Sequence, residues 1–209
     1  MMLRSLVVGR FALNEETVVR IHAEQQMSII LVILVAYLCG SIPFGKIVSS
    51  FKGVNILKNG SGNIGFANSL RTMGWVPALI VLAGDIIKGY LPVILTRNNM
   101  LVAIAVLLGS IFSPWLKFKG GKGVATTLGI SLALSPLIAL IGIFVWLIIT
   151  LVFKKTSLAS LITIALLPVL SLFLNKQFFL LYLLILIIVL FTHRRNIKNL
   201  INGTEVKTF

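Results

Sequence analysis

The sequence predicts an all-α membrane protein that crosses the bilayer about seven times, and three observations carry this. First, 58% of its 209 residues are hydrophobic and only 11% charged, with a mean hydropathy of +1.06, a balance foreign to a soluble core. Second, the apolar residues gather in runs of roughly 15 to 22, near the ~20 a helix needs to cross ~30 Å of hydrocarbon. Third, the cations between those runs alternate in a way that defines two faces.

The runs fall at residues 29–50, 75–95, 100–114, 123–134, 137–153, 157–174 and 177–192. The apolar stretch from Val124 to Phe153 is too long for one ordinary span. Ser135-Pro136 divides it, because proline removes a helix donor and disfavours helix in the residue before it. With that division one set of loops holds Lys52, Lys58, Arg71, Lys117, Lys119, Lys122, Lys154, Lys155, Arg194, Arg195, Lys198 and Lys207, while the opposite set holds only Arg97 and Lys176. The positive-inside rule puts the first set in the cytoplasm, the N-terminus outside and the C-terminus cytoplasmic. Merging residues 123–153 into one helix would scatter those cations over both faces.

Residues 1–26 fit this scheme poorly. Their short apolar patch, Ser5 to Leu13, is interrupted by Arg10, so they make neither a signal peptide nor a span. We expect an N-terminal extension, from an upstream start or as a loosely structured tail, ahead of one seven-span domain over 27–209. The net charge of +14 lies between spans with no recognition-helix or base-stacking pattern, so no nucleic-acid partner is expected. Cys39 is the single cysteine and sits in an apolar run, which excludes a disulfide framework and a paired-cysteine metal site. No metal or cofactor is expected.

Three polar segments interrupt the apolar background, and the topology puts all three on the cytoplasmic face: 52–74, 115–123 (WLKFKGGKG) and 192–205. In the first, Gly60, Gly62 and Gly65 permit close backbone approach, with Ser61 and Asn63 between them. Successive exposed N–H groups there would form an anion nest suited to phosphate. It is neither a Walker loop nor a dinucleotide fingerprint, since no Gly-Lys-Ser/Thr follows and no strand precedes it. In the second, Gly120, Gly121 and Gly123 surround Lys122 at the start of a helix, whose N-terminal dipole also favours anions. Arg71 offers a planar fork to a second phosphate, or is a solvated surface cation.

His193 and Asn196 are spaced i, i+3 at the end of the last run and so share a helix face. Ser157 and Ser160 repeat the spacing where the sixth run begins, as caps or as ligand contacts. Asp85 and Lys88 lie within a span, where ionisable groups are costly; they form either a structural ion pair or a substrate contact.

Several of these segments together resemble one family. GSIPFG (40–45), GSGNIGFANSLRTMG (60–74), DIIKG (85–89), KFKGGKGVAT (117–126), SLAS (157–160), and HRRNI with a later GTE (193–197, 203–205) are similar to the PlsY family of bacterial glycerol-3-phosphate acyltransferases, in order from Met27 to Glu205. The resemblance implies a seven-span, multi-pass enzyme of the bacterial inner membrane whose glycine-rich cytoplasmic loops form the active site. It also implies acyl transfer from acyl phosphate to the 1-hydroxyl of sn-glycerol 3-phosphate, giving lysophosphatidate and phosphate as the first acylation of phospholipid synthesis. By position it assigns roles to Ser61, Arg71, Lys122, Ser160, His193 and Asn196.

We therefore expect Ser61, Arg71, Lys122 and His193 to be catalytic. Gly60, Gly62, Asn63, Asn68, Gly120, Gly121, Gly123, Ser160 and Asn196 are expected to bind substrate. The implied partners are the two substrates, membrane lipid and, transiently, a soluble enzyme that makes acyl phosphate. Ser110 stands where the family has histidine, and Phe66 where it prefers a small residue.

An acyl phosphate already carries a good leaving group, so no enzyme nucleophile is required. The chain has no nucleophile elbow, which favours direct attack by the glycerol hydroxyl. The base is His193 or a phosphate oxygen of the donor. The competing reading is a carrier for a phosphorylated solute, against which stands the confinement of the polar motifs to one side.

Overall fold

The computed structural model describes the backbone of residues 15–208 and the side chains from Met27 onward. Among the described residues ten α-helices follow one another: α1 (Glu15–Gly40), α2 (Phe44–Phe51), α3 (Phe66–Met73), α4 (Trp75–Leu95), α5 (Met100–Ile111), α6 (Val124–Leu134), α7 (Pro136–Phe153), α8 (Thr156–Leu174), α9 (Phe179–Thr192) and α10 (Arg194–Ile201), with single 3-10 turns at Pro114–Leu116 and Lys176–Phe178. Helix α1 starts at Glu15, inside the segment expected as an extension, and residues 1–14 lie outside the described residues.

Each apolar run became helix, and the division at Ser135-Pro136 is where the chain breaks: α6 ends at Leu134 and Pro136 opens α7. Proline suits a helix's first turn because its missing N–H has no partner there in any case. Length separates the runs into two classes. Four segments, Met27–Phe51, Trp75–Leu95, Pro136–Phe153 and Thr156–Leu174, are long and apolar enough to cross a membrane. The pair Lys176–Thr192 and Arg194–Ile201, bent by 66°, makes a fifth candidate. With 12 residues in α5 and 11 in α6, those helices reach only about 16 to 18 Å at 1.5 Å per residue.

Glycine sets how closely the helices meet. A Cβ on Gly129 of α6 would stand 2.0 Å from the Ile86 carbonyl oxygen of α4, and one on Gly89 of α4 would stand 2.3 Å from that of Thr126. Between α1 and α5, Gly40 and Gly109 meet the carbonyls of Val106 and Tyr37 at 2.1 Å in the same sense. This is the close, small-residue packing by which helices associate without a hydrophobic driving force. Large apolar side chains such as Leu79, Phe144, Leu151 and Phe173 face outward, as a lipid-facing belt requires.

The first long run is not one helix. It breaks at Ser41–Pro43, and side chains from elsewhere satisfy the freed backbone. Lys88 Nζ donates to the Ile42 carbonyl at 3.0 Å and Ser113 Oγ to that of Ser41 at 2.6 Å, while the Trp115 indole N–H donates to Ser41 Oγ at 2.9 Å. Asp85 pairs with Lys88 at 2.7 Å. The pair holds a cation against the helix break, and both residues also border the cavity described below.

Replacing Gly129 with valine should force α4 and α6 apart, because its Cβ meets backbone rather than a movable side chain. The expected cost is about 1 to 3 kcal/mol or more, read as a lowered Tm of the detergent-purified protein. Gly53, whose Cβ would meet nothing within 4 Å, is not the control, because its φ of +67° strains any side chain; Ala83→Val, at an exposed position on the facing helix α4, is.

Candidate active site

The loop before α3 is organised by one amide. Asn68 is buried, and its Oδ1 accepts the Ser61 N–H at 2.8 Å while its Nδ2 donates to the carbonyls of Asn63, Asn59 and Ile56 at 2.8 to 3.2 Å. The Gly62 N–H is spent on Asn59 and the Gly65 N–H on Asn63 Oδ1. One expectation is corrected here: the N–H groups of Ser61, Gly62 and Gly65, expected to form an anion nest, bind within the loop. Asn68 braces the loop and also borders the cavity described below. Gly60 is absent from the cavity lining; a Cβ on it would lie 2.2 Å from Asn68 Oδ1, so its glycine makes room for that amide.

The second glycine loop is also turned inward. The N–H groups of Gly120 and Gly121 donate to the carbonyls of Ile111 and Ser110 at 2.8 and 2.9 Å, capping the end of α5, whose last carbonyls have no partner inside the helix. Gly120 thus supplies close approach, since a Cβ on it would stand 2.4 Å from the Ser110 carbonyl oxygen, and both N–H groups are spent on carbonyls. Gly123 takes φ +85° and starts α6, which leaves the Lys122 side chain to reach the cavity.

Lys122 Nζ donates to Asn196 Oδ1 at 2.5 Å, and Asn196 Nδ2 donates to Glu205 Oε1 at 2.6 Å. The C-terminal segment carrying Glu205 folds back across the site. Arg71 Nε donates to the Lys207 carbonyl at 3.0 Å and an Nη to that of Val206 at 3.3 Å. Thr208 locks the segment to α8 by receiving the Thr156 N–H at 3.1 Å. Sequence reasoning quoted Glu205 only as part of GTE and gave it no role. The available signal was its sign, a carboxylate placed among Arg194, Arg195, Lys198 and Lys207.

His193 lies at the bend between α9 and α10 and not on a straight helix face shared with Asn196. It is buried, with Nδ1 2.9 Å from the Val189 carbonyl. A carbonyl partner requires the proton on Nδ1, leaving the Nε2 lone pair as the basic site. Burial, followed by the nearby Lys122 charge, lowers its pKa to about 4 despite the Val189 and Glu205 contributions, so it is neutral at physiological pH. Burial lowers Lys122 to about 8, with Glu205 opposing and Arg71 assisting. Arg71 is shifted down by burial and up by Glu205, and as a guanidinium it remains a cation.

One cavity of about 1160 Å³ is lined by Ser61, Gly62, Asn63, Arg71, Gly120, Gly121, Lys122, Gly123, Ser160, His193 and Asn196 together. Ser160 Oγ donates to the Thr156 carbonyl at 2.8 Å and accepts the Trp146 indole N–H at 3.1 Å. Phe66, the residue the resemblance left unexplained, packs against the Trp146 ring. Ser110, in place of the family's histidine, is buried, with its hydroxyl bonded to the Leu107 carbonyl. Asp85 and Lys88 line the same cavity.

Fold and cavity together define a helical membrane protein in which several cations, Arg71 and Lys122 among them, a neutral histidine and short polar groups face one chamber with apolar walls beside them. Its relatives agree. The profile of the glycerol-3-phosphate acyltransferase family matches residues 30–203. The glycerol-3-phosphate acyltransferase of Wolbachia pipientis subsp. Culex pipiens (strain wPip) is 42% identical over 185 residues, covering 85% of this chain and 97% of the relative. That of Bacillus subtilis (strain 168) is 40% identical over 189 residues, covering 87% and 98%. Crystal structures of PlsY (YgiH), described as an integral membrane glycerol 3-phosphate acyltransferase, superpose with TM-scores of 0.82 for the glycerol 3-phosphate form and 0.80 for the lysophosphatidic acid form. Each is 32% identical and covers 86% of this chain and 95% of the solved one. The chain belongs to the glycerol-3-phosphate acyltransferase family.

Because burial lets Lys122 lose its proton near pH 8, kcat/KM should fall as pH rises through about 8, well before an ordinary lysine would dictate. In Lys122→Arg, any residual activity should lack that limb, measured as a pH profile of the purified enzyme.

Proposed function

We propose that the protein transfers an acyl group from acyl phosphate to the 1-hydroxyl of sn-glycerol 3-phosphate, releasing lysophosphatidate and inorganic phosphate. The observation that carries this is the meeting of Arg71, Lys122, Ser160, His193 and Asn196 in a single cavity that continues between apolar helix faces. Two anions and one aliphatic chain are what such a chamber suits. The glycerol 3-phosphate and lysophosphatidic acid forms of the solved relative support the acceptor and the product.

In this reading the domain over 27–209 crosses the inner membrane seven times, with α5 and α6 as short crossings and the site facing the cytoplasm. Residues 1–26 precede it as an extension. Cations gathered on that face favour this orientation. The donor's tail gains ~0.8 kcal/mol for each CH₂ it keeps out of water, so it stays in the apolar part of the chamber while its phosphate meets the basic end. A soluble enzyme that makes acyl phosphate would deliver the donor at this face.

The reaction is a direct displacement. The glycerol O1 bonds to the acyl carbonyl carbon, the bond from that carbon to the phosphate oxygen breaks, and the hydroxyl proton leaves to a base. Lys122 and Ser61 hold the donor phosphate, where negative charge grows as the bond breaks. Ser160, His193 and Asn196 hold the acceptor, and Arg71 lies between the two phosphates. Asn68 and the glycines position these groups without touching substrate. The proton passes either to His193 Nε2, neutral and unprotonated as the geometry requires, or to a phosphate oxygen of the donor.

Lys122→Ala and Arg71→Ala should each lower acyl transfer by about a hundredfold or more in protein that still folds, measured as lysophosphatidate formed from acyl phosphate and glycerol 3-phosphate in detergent. Wild-type turnover in either would remove that residue from the site. An acyl-enzyme trapped on mixing with acyl phosphate alone would overturn direct transfer. If His193 is the base, the acid limb of kcat/KM should sit near pH 4 and vanish in His193→Ala; that limb retained in the folded variant rules His193 out as the base.

A further inference from the structure

Arg71 stands in the last turn of α3, and its partners lie 135 and 136 positions further along the chain. Its Nε donates to the Lys207 carbonyl at 3.0 Å and its Nη2 to that of Val206 at 3.3 Å. A guanidinium has two edges that can each grip a partner with paired N–H groups, one made of Nε with the neighbouring Nη and one made of the two Nη groups. The tail takes the first edge. Among the described residues no hydrogen-bond partner takes the second, and Arg71 borders the cavity.

The tail is itself pinned. Helix α8 opens at Thr156 after Lys155, whose side chain makes no capping bond, so the first N–H groups of α8 need acceptors from outside the helix. Thr208 supplies one. Its Oγ1 accepts the Thr156 N–H at 3.1 Å and donates to Thr156 Oγ1 at 3.1 Å, while its own N–H donates to the Lys154 carbonyl at 2.8 Å. Thr208 is buried. These bonds fix residue 208, and with it the two carbonyls just before it, to the turn between α7 and α8. The same turn reaches the site, since the Thr156 carbonyl receives Ser160 Oγ at 2.8 Å. Val206, Lys207 and Thr208 follow the last residue that the family resemblance covers, and the resemblance gives them no role.

We propose that Val206, Lys207 and Thr208 are positioning residues of the active site: Thr208 latches the tail to α8, and the carbonyls of the other two orient Arg71 so that its free edge meets a substrate phosphate. The latch stays closed through the catalytic cycle. An arginine released from its carbonyls would regain the rotamer freedom of a long side chain and have to be aimed again at each turnover. The proposal rests on the reading above in which Arg71 meets a phosphate.

The test is a double-mutant cycle read on acyl transfer. Thr208→Val keeps the shape and removes both hydroxyl bonds; it should lower kcat/KM by about fivefold or more, and Thr208→Ser should retain the wild-type value. Ending the chain after Glu205 should lower kcat/KM about as far as Arg71→Ala does. In an Arg71→Ala background the same changes should each cost less than about twofold, because the group they orient is gone. A tail that only holds the fold together would cost as much there as in the wild-type background, and that result overturns the proposal. So does wild-type turnover in folded Thr208→Val. A Thr156→Cys/Thr208→Cys pair in a Cys39→Ser background places two sulfurs where the hydroxyl oxygens stand 3.1 Å apart, a spacing that a disulfide can close. Oxidation should leave the turnover of this protein unchanged from its reduced form, as an element that stays in place requires. Inactivation on oxidation, reversed by dithiothreitol, makes the tail a lid that must open, and overturns the latch. If the protein turns over acyl thioesters and not acyl phosphates, the donor assignment fails separately, and the same cycle run on thioester and glycerol 3-phosphate still tests the tail.

Discussion

Wherever a chain stops being helical inside a membrane, its freed carbonyls and N–H groups must find partners within the protein, because hydrocarbon offers none. That requirement governs this structure more than any single contact. At Ser41–Pro43 it draws in Lys88, Ser113 and Trp115. At the end of α5 it draws in the N–H groups of Gly120 and Gly121. In the loop before α3 the same need, there of backbone buried in protein, is met by one asparagine that serves four backbone groups. The glycine loops are consequently compact, internally bonded pieces, and the side chains they project are the groups left to meet a ligand.

The helices were legible because their causes are local. Apolar runs and the proline at 136 are properties of neighbouring residues; the runs became helix and the proline a break where expected, while the first run also breaks at Ser41–Pro43, which its apolar content did not announce. Membership of the site was legible too, since Ser61, Arg71, Lys122, Ser160, His193 and Asn196 do line one chamber. What those residues do to one another was not. An N–H in a glycine loop looks the same in sequence whether it faces a phosphate or a carbonyl. The difference lies in Asn68 and in the end of α5, seven or more residues away in the chain.

Crossing number shows the same limit from another side. Composition marks α5 and α6 as apolar but says little about how far each extends, because their ends are set by the loop that Gly120 and Gly121 tie back to residues 110 and 111. Glu205 was missed for a related reason. Its partner Asn196 is near in sequence, but Lys122 is reached only when the loop before α6 has been folded. Charge in a linear reading has a sign and no direction.

The C-terminal segment shows what such distance implies. Arg71 spends two of its donors on the carbonyls of residues 206 and 207, and the Arg71–Lys207 contact spans 136 positions. Thr208 closes the arrangement on α8. The aim of that guanidinium therefore depends on residues 206 and 207 being in place, so α3 and the segment after α10 act together as one wall of the chamber.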